Sequence, residues 1–333
     1  MLELNQIWND PDIFVVQIPF AHLGLDYTNC YFIRSGDDLL VIDPGVDTHV
    51  ACHVLSRMIN DSGTDRENVR FFCTHLHFDH VSHLKSMVWP GARILLGRVA
   101  YESNPWHAYE QRKAKLRRVL HDEGVPRTAM SGLAAIMSEA RVCDLPDCSY
   151  ELLTEGQMVH VGPHALRVIE TPGHSRGHIC LYSDEQGFLI SGDHVLEKIT
   201  PGLALPFEGD DSMGDFLNSL GKLEVLECGT VMPGHGTVFH DLIGRCTQLR
   251  ERHAMRLGQV YELIALNPGI CGYEVMRKMP WKKGRPFVDL ERINPYSRIS
   301  MSSQTFAYLE YLVRIGELVR LEDERSRHYY ISD

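Results

Sequence analysis

Val69-Arg70-Phe71-Phe72-Cys73-Thr74-His75-Leu76-His77-Phe78-Asp79-His80 sets an apolar run directly against four potential metal ligands. The run predicts a buried strand. In an extended segment after it, residues 75, 77 and 79 point the same way, and His80 turns to a neighbouring position where the chain enters a helix. Neutral imidazoles with one carboxylate suit zinc, manganese or iron, and the absence of cysteine argues against a closed structural zinc site.

Working outward, three further polar clusters each follow an apolar run. Ile169-Glu170 leads to Thr171-Pro172-Gly173-His174, Phe188 to Ile190 leads to Ser191-Gly192-Asp193, and Thr230 to Met232 leads to Pro233-Gly234-His235-Gly236. Ligands at the ends of separate strands can converge on one edge of a sheet, where α/β folds place their sites. The glycines allow sharp turns close to an ion. A lone histidine in a loop is ordinarily a surface or capping residue, so the weight rests on all four clusters together.

The four clusters resemble the metallo-β-lactamase superfamily over about residues 10 to 245. The resemblance implies an α/β fold, the αββα sandwich. It implies a first metal held by His75, His77 and His174, a second by Asp79, His80 and His235, and Asp193 between them. Asp43, in Val-Ile-Asp-Pro-Gly, matches an aspartate that supports the site without being a ligand. The implied cofactors are two divalent ions per chain, with zinc expected and iron or manganese compatible. The implied chemistry is hydrolysis by a hydroxide shared between the ions, with Asp79 as catalytic residue orienting it or passing on its proton.

Thr171 to His178, TPGHSRGH, is similar to the segment of glyoxalase II-type thioesterases and their lactonase relatives. That similarity implies a small thioester, ester or lactone as substrate. Ser82-His83 departs from the pair of small residues that many members carry after the motif. His178 reads as a residue behind the ligands, and Lys198 as either a contact for an anionic substrate group or a solvated lysine.

The rest of the chain frames this site. Further apolar runs at 13–18, 30–34, 39–43, 92–96, 165–170 and 179–183 predict strands, with helix-like stretches at His49 to Asn60 and Asp215 to Leu226. Residues of about 98–148 interrupt the rhythm. They read as a helical insertion (a lid, a subunit contact or an outer layer), whose helix over 107–124 stops at Gly124-Val125-Pro126. From about 246 to 333 the order is three helices and a hairpin, expected to form a small winged-helix-like domain beside a catalytic domain over 1–245.

Composition bounds the partners. The 333 residues carry a net charge of −11, but Arg245 to Asp333 holds 15 basic against 11 acidic residues, leaving 18 against 33 elsewhere. The acidic body argues against broad nucleic-acid binding. The basic tail, with Arg277-Lys278, Trp281 and Lys282-Lys283-Gly284-Arg285, keeps a rival reading: an endoribonuclease of the β-lactamase-like-2 type that holds RNA on its C-terminal domain. The first reading expects the tail to cover the pocket or join a homodimer. Nine cysteines without a C-x-x-C pair suggest reduced thiols and a cytoplasmic protein, and neither a membrane span nor a signal peptide is apparent.

Overall fold

The computed structural model describes residues 4–20, 26–103, 109–130, 148–281, 293 and 295–332. They fall into two compact units. The first lies within Met1–Trp106, Arg141–Pro201 and Ser219–Cys246, the second within His107–Ala140, Gly202–Asn218 and Thr247–Asp333. The second unit thus takes described residues from 109–130 and 202–218 together with those from 247 onward.

The first unit is built on two sheets. The larger runs in spatial order β1 (Asn5–Asn9), β2 (Asp12–Pro19), β3 (Tyr27–Ser35), β4 (Asp38–Ile42), β5 (Val69–Cys73), β6 (Arg93–Gly97) and β7 (Ser149–Leu153). It is antiparallel up to β4 and parallel from β4 to β7. The smaller has the order β12 (Thr230–Pro233), β11 (Phe188–Gly192), β10 (Ile179–Ser183), β9 (His164–Glu170) and β8 (Met158–Val161), with only β11 and β12 parallel. Alternation along each strand assigns its two faces. Tyr31, Ile33, Leu40, Ile42 and Phe72 pack with Leu166, Val168, Leu181, Ile190 and Met232 in the core between the sheets. Cys30, Phe32, Leu39, Val41 and Phe71 turn the other way, onto Ala51, Leu55 and Ile59 of α1 (His49–Asp61) and onto Leu84 and Met87 of α3 (Leu84–Met87). This is the expected α/β sandwich, with sheets face to face and helices outside. Thr48 caps α1 by accepting from the Ala51 N–H at 3.1 Å.

After α4 (Arg98–Ser103) in the first unit, the charged helix α5 (Tyr109–Asp122) of the second ends as its sequence requires. Gly124 takes φ +77°, and the Val125 N–H donates to Leu120 O at 2.9 Å. Past α6 (Ser212–Glu224), the chain continues through most of α7 (Leu242–Leu266), then α8 (Gly272–Lys278), α9 (Pro295–Arg314) and the hairpin β13 (Leu318–Glu322) and β14 (Arg327–Ile331), the expected element order. Glu123, at the end of α5, is buried and accepts from Tyr329 Oη at 2.9 Å and Arg327 Nη1 at 3.0 Å. The sequence also predicts a helical stretch around Met130 to Ala140, which beyond Met130 lies outside the described residues, as do residues 282–285 of the basic patch. No disulfide joins the eight described cysteines to one another, and no helix among the described residues is long and apolar enough to cross a membrane.

Candidate metal centre

The sequence delivers each candidate ligand from the carboxyl end of a strand. His75 and His77 follow β5, and Asp79 and His80 lie in the short helix α2 (Phe78–Val81), which starts directly after His77. His174 follows β9, Asp193 follows β11, and His235 follows β12.

These residues form two clusters. In the first, His77 Nδ1 stands 2.9 Å from His75 Nε2 and 3.0 Å from His174 Nε2. In the second, His235 Nε2 stands 3.2 Å from His80 Nε2 and 3.4 Å from Asp79 Oδ2. Asp193 reaches both, with Oδ2 3.6 Å from His174 Nε2 and 3.3 Å from His235 Nε2, and Oδ1 3.5 Å from His80 Nε2.

The donor set fits divalent ions. Tetrahedral ligands at about 2.0–2.1 Å from zinc stand roughly 3.3 Å apart, close to the spacing within each cluster. Neutral imidazole nitrogens turned on one another have too few hydrogens to satisfy all their lone pairs, and a cation satisfies them. Asp193 Oδ1 is buried without a hydrogen-bond partner, an orphan that a positive charge would compensate. Burial, reinforced by neighbouring histidines, pushes His75 well below the ordinary imidazole range and His77 down to about 3. Both are therefore neutral, as ligands must be. The second cluster differs. Burial works against charge on His80 and His235, but the carboxylates of Asp193 and Asp79 outweigh it, raising His80 well above its usual value and His235 to about 9. Asp79 and Asp193 are held below the usual carboxylate range despite burial, by the histidines beside them. The carboxylates thus attract protons to exactly the nitrogens that a cation would use.

Supporting residues hold the ligands in place. Asp43, at φ +48°, accepts from the Thr74 N–H at 2.8 Å and Thr74 Oγ1 at 2.6 Å, and its Oδ2 faces His80 Nδ1 at 2.9 Å. His178 lies outside both clusters. Its Nε2 accepts from the Asp193 N–H at 3.1 Å while Nδ1 faces Thr171 Oγ1 at 2.7 Å. Glycine is required at two points. A Cβ on Gly234 would stand 2.4 Å from Asp193 Oδ1, and one on Gly192, at φ +48°, 2.6 Å from His178 Nε2. Lys198 is not drawn into the clusters: its side chain is 80% exposed, with Nζ 3.6 Å from Glu197. His83 is buried with Nδ1 against Val46 O at 3.1 Å.

Residues at the start of β3 escaped the sequence reading. Thr28 Oγ1 donates to Asp79 O at 2.9 Å, Tyr27 O faces His235 Nδ1 at 2.7 Å, and Tyr31 Oη donates to Pro233 O at 2.7 Å. The available signal was polar residues, Thr28 and Asn29, standing directly before the apolar run from Cys30.

Comparison with known proteins agrees with this architecture. The chain is 28% identical over 239 residues to the acyl-coenzyme A thioesterase MBLAC2 of Gallus gallus, covering 68% of this chain and 78% of that one. It is 30% identical over 127 residues to the atrochrysone carboxyl ACP thioesterase AgnL7 of Paecilomyces divaricatus, spanning 38% of each. A metallo-beta-lactamase family protein from Thermus thermophilus shares the fold at TM-score 0.76 and 24% identity, over 96% of this chain and 98% of that one. Residues 23–235 match the metallo-beta-lactamase superfamily, and the chain belongs to that superfamily.

Proposed function

We propose that this protein is a two-ion hydrolase of small acyl thioesters, with esters and lactones as related substrates. The observation that carries the reading is Asp193, whose carboxylate touches both histidine clusters from one buried position. His75, His77 and His174 would hold one ion, Asp79, His80 and His235 the other, and Asp193 both. Ions bound there would acidify water and polarise a carbonyl oxygen. Asp79, held ionised by the histidines beside it, would orient the attacking water and take its proton. The water oxygen bonds to the acyl carbon, the carbon–sulfur bond breaks, and the proton ends on the thiol. The two relatives named above as thioesterases favour sulfur as the leaving atom.

The nucleic-acid alternative fits the second unit less well. Along α9, which a groove reader would present to a duplex, Met301, Phe306, Ala307, Tyr308 and Leu309 are buried. Trp281 donates Nε1–H to Met276 O at 2.7 Å and lies under Arg256, and Arg277 pairs with Glu274 at 3.0 Å. These groups satisfy one another instead of offering a stacking platform. The test is a panel of an acyl thioester, a lactone, an aryl phosphodiester and single-stranded RNA, each with zinc-loaded protein and an Asp79→Ala control. Thioester turnover lost in the variant is expected, and RNA cleavage without carbonyl activity would overturn the reading.

A further inference from the structure

Asn29 makes more hydrogen bonds to one ligand-bearing loop than any single contact in the site requires. Its Nδ2 donates to Pro233 O at 2.9 Å and to Gly236 O at 2.9 Å, and its backbone N–H donates to Gly234 O at 2.7 Å. These three carbonyls bracket His235. Asn29 is 2% exposed and Pro233 and Gly234 are buried beside it, so losing these bonds takes hydrogen bonding from a largely dry loop. Tyr31 adds a second donor to Pro233 O from the same strand. Among the described residues, the side-chain hydrogen bond from β3 to the 75–80 segment runs from Thr28 to the carbonyl of Asp79, itself a residue of the second cluster. The residues of the first cluster are held instead from β5 and β9, and Ile179 N–H donates to Thr74 O at 2.9 Å.

From this asymmetry we infer that Asn29 is a positioning residue for the second ion alone: it fixes the 233–236 loop so that His235 Nε2 meets Asp79 and His80. The inference rests on the two-ion reading. Removing a group that orients a ligand from behind costs roughly 10–100-fold in metal affinity, and here that cost falls on one site only. Asn29→Leu keeps the approximate volume of the side chain and removes both donors. Tyr31→Phe removes one donor to the same loop.

The experiment is a competitive titration of metal-free protein with Co(II) against a chelating indicator, followed through the cobalt absorption bands, which resolves two binding steps. Wild type is expected to take up two ions. Asn29→Leu is expected to weaken the second step at least tenfold and leave the first within about threefold, with Tyr31→Phe moving the second step in the same direction by less. Equal weakening of both steps, as general loosening of the fold would give, overturns the inference, and so does an unchanged second step. A wild-type chain that takes up a single ion removes the two-ion reading and this inference with it.

Discussion

Asp43 Oδ2 lies 2.9 Å from His80 Nδ1, with both side chains shut away from solvent. A carboxylate on Nδ1 keeps the proton there and leaves Nε2, which faces His235 and Asp193, free to act as a ligand. Asp43→Asn keeps the shape and tolerates the positive φ, but weakens this hold on the ring. Affinity for the second ion should fall roughly 10–100-fold, read by equilibrium dialysis. An unchanged affinity would show that the contact does not orient the ring.

Protonation couples to loading. With His235 raised to about 9 and His80 raised as well, this pair holds protons at neutral pH in the metal-free chain that two neutral imidazoles would not. An ion entering the second cluster must displace them. Calorimetry at pH 7 in buffers of different ionisation heat should show net proton release on loading, and zero release would contradict the assignment. The sign for stability follows from a raised histidine. Its contribution to the metal-free fold is complete below about 6.5 and is lost as pH rises through about 9. Metal-free protein should therefore melt lower at pH 9 than at pH 6.5.

Gly234 leaves no room for a side chain beside the site. An added Cβ would stand 2.4 Å from Asp193 Oδ1 and 2.8 Å from His80 Cε1. Gly234→Ala should cost about 1–3 kcal/mol of stability and reduce the bound ions per chain measured by elemental analysis. Full occupancy at wild-type melting temperature would show that the loop yields freely.

In the second unit, Arg327 Nη1 lies 3.0 Å from the buried carboxylate of Glu123. Arg327→Met leaves that charge with the Tyr329 hydroxyl as its remaining short partner. Breaking a buried pair from one side costs about 3–5 kcal/mol, so chemical denaturation should show a loss of at least about 3 kcal/mol. A loss below about 1 kcal/mol would mean that the carboxylate is protonated or solvated in the native state.

What could be read in the chain follows from burial. The nine apolar runs all became strands, because each is buried and carries a strong hydrophobic signal. The three strands that escaped are β1, β7 and β8, and all three are sheet edges. An edge strand covers less apolar surface and tolerates polar residues, as Asn5-Gln6-Ile7-Trp8-Asn9 does. The candidate ligands announced themselves through residue type next to strand ends. Thr28 and Asn29 did not, since threonine and asparagine before a strand ordinarily mark a turn. Only the fold, which carries β3 past the loops bearing Asp79 and His235, turns them into supports.

The central claim is most directly tested by thiol release from an acyl thioester as the ions are removed and restored. The account predicts that a strong chelator abolishes turnover, that zinc restores it in parallel with a second ion bound per chain, and that Asp193→Ala remains inactive at any zinc concentration that wild type needs. Undiminished thiol release from chelator-treated protein, or full activity in Asp193→Ala, would contradict it.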